Sequence, residues 1–166
     1  MSAKLLLIGA GNLYRSDDSV GLKVVQAIKS NHLPDVDCIE HDADGTGLLE
    51  IMAQADTVIL VDAVKSGAPP GTIHKFAVHD SVPSCPIPLF SSHDFGVGEA
   101  IQLAQVIHQL PRRLTVYGIE GSSFCLGTML SPAVACVIPD VVALIYQDIQ
   151  ARRADSSGVT WEVLDS

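Results

Sequence analysis

Carboxylates recur in this chain where apolar runs end. The run at residues 4–8 leads into Gly9-Ala10-Gly11-Asn12 and then Asp17-Asp18. The stretch 36–40 leads into His41-Asp42-Ala43-Asp44-Gly45-Thr46-Gly47, and the run 57–61 ends at Asp62. A proline-rich stretch precedes His93-Asp94, and Glu120 follows the run 114–119. Acidic side chains and an imidazole gathered at strand ends can bind a divalent metal or move protons. Asp18, Asp62 and His93 form an oxygen-rich set with one imidazole, suited to zinc, nickel or manganese more than to copper(I). Three protein ligands leave positions open for water or for donors from a substrate.

Each of these residues also has an ordinary structural use. Asp17 or Asp18 can cap the following helix by accepting bonds from its free N–H groups, and Asp17 is the better placed for it. Asp62 can bind backbone amides of a following turn, while Asp42 and Asp44 can be turn formers beside Gly45. Ser91-Ser92-His93-Asp94 has the form of a capping box, which puts His93 in the first turn of a helix. There the helix dipole disfavours imidazolium and favours the neutral ring that binds metals. His41 is placed to line the same pocket as Asp42; His32, His74, His79 and His108 read as surface or packing residues. Cys38, Cys85, Cys125 and Cys136 lack the close spacing of a zinc or disulfide framework and read as structural.

The elements that must position these groups follow from hydrophobic spacing. Residues 4–8 and 57–61 are continuous apolar runs, as in buried parallel strands. Further strands are expected at 36–40 and 114–119, and residues 72–78 alternate like a strand open on one face. Helices are expected over 19–28, 46–52 and 91–110, and from Ser131-Pro132 to about 153 with a kink at Pro139. Pro83, Pro86 and Pro88 make 79–90 a loop. This alternation predicts a single α/β domain over residues 1–166, with 154–166 a flexible tail. Its architecture is a three-layer α/β/α sandwich around a twisted, mostly parallel sheet of about five strands. In such sheets ligands bind beyond the carboxyl ends of the strands, where the carboxylates lie.

Composition excludes several function classes. With 48% hydrophobic and 17% charged residues, the 166-residue chain can bury a full core and is not disordered. A net charge of −9, with Arg112-Arg113 and Arg152-Arg153 as isolated basic pairs, argues against nucleic-acid binding. The short apolar N-terminal run enters a glycine turn directly, unlike a signal peptide, and no run reads as long enough to span a membrane. A cytoplasmic monomer is expected. A dinucleotide fingerprint fails because its third glycine would fall at Tyr14. Neither a zincin HExxH motif nor a GxSxG nucleophile elbow is present.

Gly9-x-Gly11-Asn12, Asp17-Asp18-x-x-Gly21, Asp42 leading to Gly45-Thr46-Gly47, Val61-Asp62-Ala63, Ser92-His93-x-x-Gly96, Gly118-Ile119-Glu120 and Leu130-Ser131-Pro132 occur in that order. This ordered set resembles the hydrogenase maturation endopeptidases, which trim the C-terminus of a nickel-containing hydrogenase large subunit. The resemblance implies a metal site at Asp18, Asp62 and His93 and a fold matching the reading above. It implies that nickel arrives already inserted in the large-subunit precursor, as a recognition element, and it places Asp42 in the region implicated in cleavage. The sequence departs from the family at Gly121, where proline is frequent, and in its own proline pattern over 79–90. On this reading Asp42 is a general base acting on water while the metal positions the precursor. The metal could instead polarise the scissile carbonyl or activate water itself. A metal-sensing binding module or maturation chaperone that does not cleave is the alternative.

Overall fold

The computed structural model describes residues 4–78 and 94–156. Leu5–Ala10 (β1) and Thr57–Val64 (β3) are almost wholly buried, as continuous apolar runs require. Val36–His41 (β2), Ile73–Val78 (β4) and Arg113–Glu120 (β5) complete one five-stranded sheet in the order β2-β1-β3-β5-β4. The pairs β1–β2, β1–β3 and β3–β5 are parallel, and only the edge strand β4 runs antiparallel.

Side chains alternate across a strand, so each strand feeds two cores. Leu5, Leu7, Ile59 and Val61 pack with Val20–Lys29 (α1) and Pro132–Ser156 (α4). Leu6, Ile8, Val58 and Leu60 pack with Gly45–Met52 (α2) and Val97–Val106 (α3). The buried Val, Leu and Ile side chains that dominate both layers each contribute about 2 kcal/mol through burial. The three-layer sandwich is therefore as expected. At Gly21, α1 lies so close to the sheet that a Cβ would stand 2.3 Å from the Val61 carbonyl oxygen and 2.6 Å from that of Ala10. The close helix–strand approach that a dinucleotide fingerprint would put at Tyr14 thus occurs at Gly21.

Several boundaries differ from expectation. β3 does not stop before Asp62 but runs to Val64, because β5 continues to pair with it after β1 has ended. α3 begins at Val97, not at residue 91: the Gly96 N–H donates to the Glu99 carboxylate at 3.1 Å and starts the helix there. It closes at Val106, where His108 takes a left-handed φ of 56° and the Gln109 N–H reaches the Ala104 carbonyl at 2.8 Å. α4 is helical on both sides of Pro139 and extends past 153 to Ser156. Contrary to the expectation that no segment suffices, α4 is long and apolar enough to cross a membrane by length and composition, its best 18-residue window having mean hydropathy 1.5. Here its Val134, Val141, Ile145 and Ile149 stripe is buried against the α1 side of the sheet. Lys75 and Tyr117 also hold Asp148, and Arg152 holds Thr115 at 2.7 Å, fastening the helix to β4 and β5.

Candidate active site

The register of the sheet sets the site. His41 pairs with Ala10, and Gly9 pairs with Val61, so His41, Ala10 and Asp62 stand on one rung at the C-terminal edge. With neighbouring strands about 4.8 Å apart, the backbones of His41 and Asp62 lie about 10 Å apart across β1. Their positions share the strand face of Ile39 and Leu60, the face covered by α2 and α3. Asp18 approaches the same edge on the 3₁₀ turn Ser16–Ser19 that follows β1.

Hydrogen bonding sorts the carboxylates. Asp17 is fully buried and accepts from the N–H groups of Ser122 (2.8 Å), Ser123 (2.9 Å) and Ser131 (2.7 Å) and from the Ser131 hydroxyl (2.7 Å). Contrary to the expectation from sequence, it does not cap α1; the 3₁₀ turn aims it at the loop before α4. Burial would raise its pKa, but the bonds from Ser123, Ser131 and Ser122 together hold it below the ordinary carboxylate value. Gly121 fits this clamp sterically, since a Cβ there would stand 2.5 Å from the Phe124 ring and 3.1 Å from Asp17 Cβ. Glu120 is likewise consumed. It accepts from the Ser66 N–H (2.8 Å) and hydroxyl (2.7 Å) and from the Gly67 N–H (3.0 Å), with His74 Nε2 at 3.3 Å.

Asp17→Ala should therefore destabilise the fold by roughly 3 kcal/mol, because three amides and a hydroxyl lose a buried charged acceptor. A carboxyl with a depressed folded pKa stabilises above its unfolded pKa and loses that contribution as pH falls through the folded one. The difference between Asp17→Ala and wild type should thus be full at pH 7 and shrink under strong acid. Urea midpoints at both pH values test this; equal midpoints at pH 7 would remove the clamp from the account.

Asp62 is different. It is completely buried; its Oδ1 accepts from the Ala63 N–H at 2.9 Å, while its Oδ2 has no hydrogen-bond partner among the described residues. Burial first, and the nearby Asp18 charge second, push its pKa well above the ordinary value, with the Ala63 bond only partly opposing them. Asp18 is itself buried, at 2% exposure. Two neighbouring buried carboxyls, one with an orphaned oxygen, are costly unless a proton or a cation sits between them. That donor set fits a divalent metal.

Asp42 occupies the turn between β2 and α2, with its side chain 73% exposed. Its Oδ1 accepts from the Asp44 N–H at 3.2 Å and lies 3.5 Å from His41 Nδ1. His41 Nδ1 accepts from the Ala43 N–H at 3.1 Å, and Asp44 caps α2 by accepting from the Gly47 N–H at 3.1 Å. Asp44 is thus the turn former and cap, whereas Asp42 presents its carboxylate to water. The Gly45 N–H donates to the Phe95 carbonyl at 2.9 Å, tying the segment before α3 to this turn. His93, with the capping-box reading of Ser91-Ser92-His93, lies outside the described residues. Among the described residues no group of three metal-binding side chains is assembled.

Residues 22–148, more than half of the chain, match the sequence model of the hydrogenase maturation protease family. The chain belongs to that family. Asp42, Asp62 and His93 fall inside the matched span, and Asp18 lies just before it. Among curated proteins it is 28% identical over 138 residues to the hydrogenase 2 maturation protease of Escherichia coli, covering 81% of this chain and 84% of that one. It is 29% identical over 152 residues to a putative hydrogenase maturation protease of Methanocaldococcus jannaschii, covering 88% and 96%. The fold is similar to the solved hydrogenase maturating endopeptidase HybD of E. coli, with a TM-score of 0.74, 22% identity, and coverage of 90% and 93%.

Proposed function

We propose that this protein is an endopeptidase that removes the C-terminal extension of a nickel-containing hydrogenase large-subunit precursor, recognising the nickel already inserted there. Family membership supports the reaction class, and the orphaned Asp62 Oδ2 beside Asp18 carries the metal reading. On this reading nickel belongs to the substrate, and Asp18, Asp62 and His93 lend it two carboxylates and an imidazole. Asp42 then serves as the general base that takes a proton from the attacking water, its exposed carboxylate being open to solvent.

The test is incubation with nickel-loaded precursor, followed by intact-mass measurement. Loss of the C-terminal extension is expected, with nickel-free precursor left whole. Association without a change of mass would replace the protease by a binding module. His93→Ala should weaken association with the loaded precursor by about tenfold or more, because water replaces imidazole poorly on nickel. Unchanged association would return His93 to a structural role.

A further inference from the structure

The strongest feature outside the carboxylate edge is an apolar patch beside it. Tyr14 is 67% exposed, Leu126 and Met129 are each 82% exposed, and Leu13 is 38% exposed. They come from two segments far apart in sequence that are bound to one another. The Ser16 N–H donates to the Gly127 carbonyl, and the Gly127 N–H donates to that of Tyr14, both at 2.9 Å. Arg15 and Gly127 form a parallel bridge, and the Ser16 hydroxyl donates to the Cys125 carbonyl at 2.9 Å. The Asp17 clamp then holds the second segment against the 3₁₀ turn that carries Asp18. The patch is thus pre-formed, so docking on it costs little ordering entropy.

Its composition points to a protein partner. Residues 121–131 contain no Asp, Glu, Lys or Arg, in a chain with net charge −9. Clustered exposed leucine, methionine and tyrosine mark a docking surface rather than an ordinary solvated loop. The patch is continuous with the turn that carries Asp18, while α4 leads away from it.

From this continuity we infer that Leu13, Tyr14, Leu126 and Met129 dock an apolar surface on the folded body of the precursor, next to its metal centre. The inference rests on the proposed function for the identity of the partner. The patch supplies affinity through contacts with the folded precursor, and the carboxylates recognise the metal.

The test uses the full chain carrying Leu126→Ser and Met129→Ser together, with Val106→Ser as control. Val106 is equally apolar and 74% exposed, but stands at the far end of α3. Calorimetric binding of nickel-loaded precursor should weaken by about tenfold or more in the double variant and stay unchanged in the control. Where cleavage is measured, the loss should appear in KM. Thermal unfolding should match wild type, since both side chains are exposed. An unchanged Kd overturns the inference, as does a concentration-dependent homodimer of wild type that the double variant abolishes. Binding without cleavage by wild type leaves the docking surface standing and removes the protease reading. Absence of binding by wild type removes both.

Discussion

Replacing Asp62 by asparagine should yield a protein that is more stable than wild type yet unable to process its precursor. The wild-type carboxyl is buried beside Asp18, and one of its oxygens has no partner among the described residues. Its folded pKa is raised, so the folded state holds this proton more tightly than the unfolded chain does. The stabilising contribution is complete below the unfolded pKa of about 4 and is lost as pH rises through the folded value. Asparagine is neutral throughout. Its Oδ1 keeps the Ala63 bond, and the repulsion from the Asp18 charge is gone. The gain should be about 1 kcal/mol or more at pH 8, shrinking towards pH 4, as for other sites where function is built at the expense of stability. Precursor processing should fall by about 10²-fold or more, because an amide is a poor metal ligand. Unfolding curves at pH 4 and pH 8 separate the effects; a wild type at least as stable as the variant at pH 8 would refute the strained-pair account.

Asp42→Asn should leave the fold and precursor binding intact while slowing cleavage by about 10²–10⁴-fold, the range for a lost general base. The amide oxygen still accepts the Asp44 N–H, so the turn and its Asp44 cap on α2 persist. At 73% exposure the carboxylate carries little packing energy, and the change should barely move the unfolding midpoint. What is lost is the ability to take a proton at neutral pH. Single-turnover cleavage and equilibrium binding, measured separately, decide the matter. A normal cleavage rate would leave metal-assisted water activation as the better mechanism; weakened binding would make Asp42 a contact residue.

Local pattern alone determined the alternation of strands and helices, the sandwich, and the line of carboxylates at the strand ends. Apolar runs such as 57–61 and helix-spaced valines such as Val20 and Val24 must bury whichever partner they meet. The family was also legible, because its glycines and acids are tied to turns defined within a few residues. What only the tertiary structure decided was which acid does what. Asp17 and Asp18 are neighbours in sequence, yet Asp17 is satisfied by Ser122, Ser123 and Ser131 while the charge of Asp18 acts on Asp62. Glu120 looks as available as Asp62 until Ser66 and Gly67 are seen to occupy it. The start of α3 at Val97 and the run of β3 to Val64 depended likewise on the Glu99 cap and on pairing with β5. A side chain's propensity is local, but its hydrogen-bond partners and neighbouring charges come from distant segments, 105 residues away for Asp17 and Ser122 and 54 for Glu120 and Ser66, and these separate a structural clamp from a site left open for chemistry.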